Sequence, residues 1–359
     1  MKHFSLISID IAKKTFHVCG FDDNHQETYS KKLGRAEFTK FVNKIAPTKV
    51  YIEACGTSHY WARILNNLGH QVKLINPFYV KPFVIGNKND ANDAQAIAAA
   101  ALSPGMKFVK IKSETEQAYQ LLLNIRESLV GQRTALLHEI RSILAEFGVI
   151  VDSGKAKILK VLKQLSCEEE IECKDIKLKV AAIPKFLKEE FEHYLSLLKL
   201  KNSRILSIEK KIKNIIKEIK SKKNPEKEKY RELEKVGGIG PITIFAVAVQ
   251  GDLSHFVNGR SFAAYIGLVP KEFSSGQRKF LGGITKKGNI FLRKTMIHGA
   301  RAYIARVKNK EDLKATWVKK LVSRIGYNKA VVALANKHAR IIHSLLTKDE
   351  EYDEAKAFV

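Results

Sequence analysis

Four carboxylates in the first hundred residues have types and spacings that could bind a divalent metal ion. Asp90 and Asp93 belong to the stretch NDANDAQAIA, and a separation of three residues in a helix places both side chains on one face. Hard carboxylate oxygens suit Mg²⁺, which requires further acids from elsewhere in the chain. Helix capping is the alternative, because an aspartate in the first turn faces the positive end of the helix dipole and stabilises it by about 0.3–1 kcal/mol.

Asp10 and Glu53 are the candidate companions of this pair. Asp10 lies inside the apolar run LISIDI, and Glu53 closes the apolar run VYI. A buried carboxylate is stable only when it is paired or bound to a metal. We therefore expect the four acids to share one site for Mg²⁺ or Mn²⁺. Two such ions, about 3.5–4 Å apart, can hold the attacking and leaving oxygens of a phosphodiester.

The elements around these acids predict a mixed α/β sheet with helices on its faces. Apolar alternation and turn residues predict strands, and spacings of three and four residues predict helices. In chain order the segments are FSLISIDIA, TFHVCGF and QETYSKKL (strands), RAEFTKFVNKI (helix), KVYIEAC (strand), SHYWARILNNLG (helix) and QVKLIN (strand). The β-β-β-α-β-α-β order then leads into the helix that carries the aspartates.

Two long lysine-rich helices are predicted between residues 113 and 230. The first carries apolar residues at helical spacing, and the second extends from about 186 to 222. These apolar stripes favour an antiparallel helical hairpin or a coiled coil. The stretch between the helices has no clear period and receives no assignment.

A mostly α-helical C-terminal domain is predicted to begin at VGGIGPITI. Its acidic tail, KDEEYDEAKAF, is expected to be frayed. We therefore predict three domains: residues 1–110 with the acids, 111–230 with the long helices, and 231–359.

The charge balance indicates a polyanionic partner. Lys and Arg total 63 against 37 Asp and Glu, a net charge of +26, and nucleic acid is the commonest polyanion that such a protein binds. No apolar run reaches 18 residues, no secretory or lipidation signal is present, and the four cysteines lack zinc-site spacing. We expect a cytoplasmic protein with reduced thiols and no membrane partner.

Two loops of the C-terminal domain could contact phosphate. In VGGIGP, the backbone N–H groups of Gly238 and Gly240 could hold a phosphate, although a plain loop before a helix is an equal alternative. In SSGQRKFLGGITKKGN, Ser274 and Ser275 are typical of a turn. Residues 271–310 contain 11 Lys or Arg and one acid, Glu272, a field that could assist a serine attacking a phosphate. The basic residues considered for nucleic-acid contact are Arg278, Lys279, Lys286, Lys287, Arg293 and Lys294.

The acids in SIDIA, IEACG and NDANDA resemble the site of ribonuclease H-like nucleases such as the Holliday-junction resolvases. Together with VGGIGPITI, FAAYIGLVPKEFSSG and ITKKGNIFLRK, they resemble the Asp-Glu-Asp-Asp insertion-sequence transposases, which include the Piv-type invertases and the bridge-RNA-guided recombinases. The resemblance covers nearly the whole chain except residues 150–185. Cys55 and Asn89 stand where that family often has threonine.

This resemblance implies a fold, partners and a nucleophile. The first domain is expected to be ribonuclease H-like (RuvC-like), with Mg²⁺ or Mn²⁺ on Asp10, Glu53, Asp90 and Asp93. Ser275 is the implied nucleophile, which forms a phosphoserine and meets the acids from a different subunit. Donor and target DNA, a guide (bridge) RNA, and a homodimer that pairs into a homotetramer are the implied partners.

Three other functions compete with a transposase. A hydrolytic junction resolvase would use the same acids with water as the nucleophile. An actin-like or sugar-kinase ATPase would use SIDIAKKTF as a phosphate loop, but no glycine-rich second loop follows. A non-catalytic nucleic-acid scaffold would leave the acids without a role.

Overall fold

The structure is a computed structural model that describes residues 3–87, 89–152, 154–165, 183–220, 229–275, 278, 280–348 and 350–358. The chain divides into two compact units, Met1–Gln117 and Ala118–Val359.

The first unit begins with three strands and continues with alternating helices and strands. Its elements are β1 (Leu6–Ile11), β2 (Thr15–Phe21), β3 (Glu27–Gly34), α1 (Arg35–Val42), β4 (Lys49–Glu53), α2 (Ser58–Asn67), β5 (Gln71–Ile75), α3 (Pro77–Val80), a 3-10 turn (Lys81–Phe83), α4 (Asp90–Leu102) and β6 (Phe108–Val109). The predicted mixed α/β organisation is confirmed.

The strands of this unit form one mixed sheet in the order β3-β2-β1-β4-β5-β6. β1 pairs antiparallel with β2 and parallel with β4, and β4 pairs parallel with β5. β6 returns antiparallel beside β5. Because β1 and β4 run in the same direction, their carboxyl ends lie at the same edge of the sheet, where Asp10 and Glu53 stand.

Apolar residues cover both faces of the sheet. On one face, the Phe16 ring stacks on Phe38 of α1 at 4.5 Å between centroids, and Trp61 of α2 meets Phe16 edge-on at 5.0 Å. On the other face, Leu6 and Tyr51 pack in one cluster with the alanines of α4. The small side chains of α4 let its backbone lie close to the sheet.

Long helices dominate the next part of the chain: α5 (Glu114–Glu146), α6 (Lys155–Leu165), a 3-10 turn (Lys185–Leu187) and α7 (Lys188–Ile219). The Arg126 guanidinium of α5 pairs with Glu209 of α7 at 2.6 Å, and Tyr194 of α7 donates to Glu139 of α5 at 2.8 Å. Since the residue number rises on one helix as it falls on the other, α5 and α7 run antiparallel, as predicted. Coiled-coil packing stays a prediction, α6 lies in the unassigned stretch, and residues 166–182 lie outside the described residues.

The rest of the second unit is mostly helical. Its elements are a 3-10 turn (Lys229–Arg231), α8 (Glu232–Lys235), α9 (Pro241–Ala248), α10 (Gly259–Tyr265), β7 (Pro270–Glu272), β8 (Leu281–Ile284), α11 (Ile290–Ala305), α12 (Leu313–Ile325), α13 (Tyr327–Thr347) and α14 (Glu354–Phe358). α13 is central, since buried residues along its length join the core formed with α9–α12. β7 and β8 form a hairpin that the sequence did not predict.

The acidic tail is docked rather than frayed, so that expectation is wrong. Phe358 is only 4% exposed, and its ring meets Trp317 of α12 at 5.4 Å between centroids. The backbone N–H of Tyr352 donates to Glu232 at 2.9 Å. Phe358 near the end of the tail packs into the core, although the surrounding charged residues indicated a solvated segment.

No helix in the described ranges is long and apolar enough to cross a membrane. Cys19 is a buried free thiol and Cys55 an exposed one. Burial raises the pKa of the Cys19 thiol to about 12. Cys167 and Cys173 lie outside the described residues.

Candidate functional site

A row of polar side chains crosses the sheet of the first unit. Lys32 on β3 lies opposite His17 on β2, which lies opposite Asp10 on β1. The parallel register of β1 and β4 places Glu53 beside Asp10, one step beyond the last paired residues. Residues in register share a face of a sheet. These four residues, here called the polar row, therefore point to the face that α4 covers.

Helix α4 adds two acids to this face through its first turn. Asp90 and Asp93 precede the buried Ala94 and Ile97 by one helical turn, on the stripe that packs against the sheet. The side-chain oxygen of Asn89 accepts a hydrogen bond from the backbone N–H of the third helical residue at 2.8 Å. Asn89 therefore supplies the N-cap, while Asp90 and Asp93 lie in the first turn, where the helix dipole also favours acids, so this alternative to metal binding stays open.

Lys32 holds Asp90 at one end of the polar row. The Lys32 ammonium lies 2.6 Å from a carboxylate oxygen of Asp90, and this hydrogen bond lowers the pKa of Asp90. The side chains are 57% and 44% exposed, so water screens the pair and its contribution to stability is about 0.2–1 kcal/mol. Burial lowers the pKa of His17, although Asp90 opposes the change, and His17 Nε2 lies 2.9 Å from the Ser30 hydroxyl.

The four acids do not enclose a metal position as they stand. In the described part of the chain, no three His, Cys, Asp or Glu side chains are grouped closely enough to hold a metal ion. Asp90 is turned toward Lys32, and Glu53 lies three strand spacings from Lys32, roughly 14 Å. Asp10 and Glu53 are half-buried near the carboxyl ends of β1 and β4. The four carboxylates share one face of the sheet, and oxygen ligands of this kind are those that Mg²⁺ prefers.

In the second unit, Ser275 lies near the tip of the β7–β8 hairpin. Backbone pairing continues beyond the strands, through Phe273 N–H to the Phe280 carbonyl at 2.9 Å and through reciprocal bonds between Ser275 and Arg278 at 3.3 and 3.2 Å. Pairing between the two strands therefore extends as far as Ser275 and Arg278. Ser275 is exposed to solvent, and a turn at the two serines stays a prediction.

The hairpin places the two serines on opposite faces. The Ser274 hydroxyl donates to Glu272 at 2.8 Å, which engages it with an acid. Successive residues of a strand alternate between faces, so Ser275 points the other way, on the face that Arg278 and Phe273 share. A guanidinium beside a hydroxyl suits an approaching phosphate, because Arg forms strong charge-assisted hydrogen bonds to phosphate oxygens.

Arg293 is a structural residue, which contradicts its predicted contact with nucleic acid. Its side chain is 9% exposed, and its guanidinium donates to the carbonyls of Ile266 at 3.1 Å and Lys287 at 2.9 Å. Burial lowers the pKa of Arg293. These bonds tie the loop before α11 to the end of α10.

The other predicted basic contacts differ in availability. Arg278, Lys286 and Lys287 are exposed, and Lys279 lies outside the described residues. The Lys294 ammonium forms an ion pair with Glu127 of α5. The exposed cations for which no ion pair is described lie at the tip of the hairpin and in the loop that follows it, within the described residues.

The VGGIGP loop owes its first glycines to packing. Gly238 has a left-handed φ of +92°, and a Cβ there would lie 3.0 Å from both the Gly299 carbonyl oxygen and a carbon of the His338 ring. The Gly237 carbonyl accepts a hydrogen bond from the buried Lys314 ammonium. Gly240 is exposed at the start of α9, and a Cβ there would meet nothing within 4 Å. Phosphate binding at this loop stays a prediction.

Sequence reasoning did not identify several residues beside these sites. His17 and Lys32 join the acids only through strand register, although polar residues inside TFHVCGF and YSKKL were a visible signal. Phe273 and Phe280 flank Ser275 only because the hairpin pairs them. Recognition that Ser275 pairs with Arg278 would have revealed this arrangement.

Comparison with known protein families matches a large part of each unit to a family of transposases. Residues 7–148 match the family model DEDD_Tnp_IS110, described as transposase. Residues 230–317 match a second model, described as the transposase IS116/IS110/IS902 family. The first match contains all four acids, and the second contains Gly238, Gly240 and Ser275.

Individual relatives match along nearly the whole chain. A probable family 20 transposase of Pseudomonas aeruginosa is 39% identical over 98% of this chain and 99% of its own length. The transposase for insertion sequence element IS1111A of Coxiella burnetii is 38% identical over 98% of this chain and 92% of its own length. The transposase for insertion sequence element IS1328 of Yersinia enterocolitica is 34% identical over 97% of this chain and 98% of its own length.

Proposed function

Because this chain belongs to the IS116/IS110/IS902 family of transposases, we propose that it cuts and rejoins the DNA of an insertion sequence through Ser275 and the four acids. The observation that carries this proposal is the pairing of Ser275 with Arg278 on one exposed face of the hairpin, while Ser274 is bonded to Glu272. An exposed hydroxyl on the same face as a guanidinium suits attack on a phosphodiester.

In the proposed step, the Ser275 hydroxyl oxygen forms a bond to phosphorus and loses its proton. The bond between phosphorus and one deoxyribose oxygen breaks, and that oxygen leaves as a hydroxyl after it takes up a proton. Rejoining is the reverse reaction with the hydroxyl of another strand end, so no external energy source is consumed. Arg278 binds the oxygens of the scissile phosphate and stabilises the added charge of the pentacoordinate state.

We propose that the first unit is ribonuclease H-like and that Asp10, Glu53, Asp90 and Asp93 hold Mg²⁺ or Mn²⁺. A divalent cation there would supply Lewis-acid stabilisation of charge on the phosphate. Asp10 and Glu53 stand side by side near strand ends and are only partly buried, which supports their use as ligands. Asp90 is the ligand whose side chain must move, since Lys32 now holds it.

The proposed partners are donor and target DNA, a guide RNA, and further copies of this chain as a dimer that pairs into a tetramer. The net charge of +26 supports binding to polyanions of either kind. RNA guidance rests on the resemblance to the bridge-RNA-guided recombinases. Purification of the full chain with and without ribonuclease treatment tests it, because a guided enzyme loses strand exchange when its RNA is digested.

The serine step is tested by incubating the full chain with donor and target DNA and separating the products on denaturing gels. Wild-type protein should give a covalent protein–DNA band, and Ser275→Ala should remove it. Ser274→Ala is the matched control, since it alters a neighbouring serine on the opposite face and should retain the band. A band that persists undiminished in Ser275→Ala removes this serine from the reaction.

The same gels separate the transposase from its hydrolytic alternative. A junction resolvase that uses water would cut DNA without a covalent band in any variant. Single replacements Asp10→Asn, Glu53→Gln, Asp90→Asn and Asp93→Asn should each abolish Mg²⁺-dependent cutting. If all four amides together leave strand exchange intact, the proposed metal site is wrong.

A further inference from the structure

Two phenylalanines near Ser275 are exposed to solvent to an extent unusual for their size. Phe273 is 63% exposed and Phe280 is 65% exposed, yet their backbones are hydrogen bonded to each other. Their ring centroids lie 6.3 Å apart with the planes at 49°. Exposed apolar side chains that occur in a group, rather than singly, mark an interaction site.

The two rings share a face of the hairpin with Ser275 and Arg278. The pairs Phe273–Phe280 and Ser275–Arg278 are separated by one residue on each strand, and such alternate pairs point to the same side. Gly282 lies against the Phe273 ring without covering it, since a Cβ there would be 3.3 Å from the ring. Hydroxyl, guanidinium and two ring faces therefore form one surface, which we call the aromatic face.

The charge around the aromatic face favours nucleic acid over an apolar partner. Residues 271–310 contain 11 Lys or Arg and a single acid, Glu272, whose side chain bonds Ser274 on the opposite face. Aromatic rings interleaved with cations are the surface that binds single-stranded nucleic acid, because each base offers a π-face for stacking. A second copy of this chain would bring a further positive charge to the same place.

We propose that the aromatic face stacks one unpaired DNA base on Phe273 and Phe280, next to the phosphate that Ser275 attacks. Two residues along a strand span roughly 7 Å, so the rings and the Ser275 hydroxyl can contact the base and the phosphate of the same region of the strand. Stacking holds the scissile strand open and in register with the nucleophile. This inference rests on the proposed function, and it adds the form of the substrate: a strand with an unpaired base at the cut.

The test measures binding of the full-length protein to fluorescein-labelled oligonucleotides by anisotropy, without divalent ions so that no strand is cut. Phe273→Ala/Phe280→Ala should weaken binding to single-stranded DNA by about 5- to 100-fold, the loss expected for one stacked base. Phe273→Leu/Phe280→Leu keeps the apolar area without the ring and should show a similar loss. Binding to a fully paired duplex should change less than about twofold, because phosphate contacts dominate there.

Phe186→Ala is the matched control, since Phe186 is 76% exposed but lies far along the chain from the hairpin. It should leave both affinities unchanged. An oligonucleotide with one 5-iodouracil gives an independent readout, since ultraviolet crosslinks should map to Phe273 or Phe280. Circular dichroism checks folding, and if the alanine variant unfolds, the leucine variant and the crosslink decide the question.

Three results would overturn the proposal. They are unchanged single-strand affinity in both double variants, full binding in the leucine variant, or a shift from oligomer to monomer in sedimentation without loss of single-strand binding. The last result would assign the rings to contacts between copies. Failure of the proposed function is distinguishable, because it removes the covalent band of wild-type protein while the crosslink to the aromatic face remains.

Discussion

Replacing the buried Lys314 with methionine should abolish a rise in stability between pH 7 and 9. Lys314 lies on α12 with 1% of its surface exposed, and its ammonium contacts the Gly237 carbonyl and, at 3.0 Å, His338 Nε2. The Tyr303 ring lies 4.3 Å from the same nitrogen. Burial lowers the pKa of Lys314 to about 7, against the opposing attraction of Glu354 and Asp312.

The sign and size of the effect follow from these pKa values. The unfolded chain has its lysine pKa at 10.5, so between about pH 7 and 10.5 the unfolded state holds a proton that the folded state has released. Stability therefore rises with pH across this window, by about 1.4 kcal/mol for each pH unit. Since Lys314 is half-protonated at pH 7, the gain between pH 7 and 9 is about 2 kcal/mol. The full window is worth roughly 5 kcal/mol.

One neighbouring group changes stability in the same direction, because burial also lowers the pKa of Lys337 on α13. Burial lowers the pKa of His338 well below its usual value. Its effect therefore also reduces the stability of the folded protein as the pH falls, but only below about pH 6.5. Burial raises the pKa of Cys19 to about 12 in the other unit, which acts in the opposite direction at higher pH. Subtracting the variant from the wild type removes contributions that the two proteins share.

The assay is urea unfolding at pH 7, 8 and 9, monitored by circular dichroism. The free energy of unfolding of the wild type minus that of Lys314→Met should rise by about 2 kcal/mol across the series. Lys320→Met is the control, since Lys320 is exposed on the same helix, and its difference from the wild type should stay flat. A flat difference for Lys314→Met would show that Lys314 keeps its charge in the folded protein, and would refute the argument.

Two further predictions concern the polar row and the glycine contact. Lys32→Met should raise the affinity for Mn²⁺ by up to about fivefold in electron paramagnetic resonance titrations, because it frees Asp90 from a cation. Lys31→Met, on the opposite face of β3, should leave the affinity unchanged. Equal Mn²⁺ affinities of the wild type and Lys32→Met would contradict the proposed metal site. Gly299→Ala should destabilise the protein by about 1–3 kcal/mol or more in thermal unfolding, because its Cβ would collide with the Gly238 carbonyl oxygen. Gly283→Ala, where a Cβ meets nothing within 4 Å, should change stability by less than about 0.5 kcal/mol, and similar losses in both would refute the collision argument.

Local sequence patterns determined the elements that carry the acids. Alternating apolar residues defined the strands, and the apolar stripe of α5 defined a long helix, because side-chain periods of 2 and 3.6 are local properties. The placement of Glu53 at a strand end followed from the end of its apolar run, whereas Asp10 was placed inside its run. The hairpin of β7 and β8 was not predicted, because its strands are short and contain charged residues and glycines rather than alternating apolar residues.

Only the tertiary structure decided which of these groups meet. Strand register set the polar row and put Lys32 on Asp90, and register depends on pairing between segments far apart in the chain. The hairpin likewise put Ser275 and Ser274 on opposite faces. Packing of the loop before α11 against the end of α10 made Arg293 a buried structural residue. Residue type and spacing specify what chemistry a side chain can perform, but its neighbours, and hence its charge and exposure, come from long-range packing.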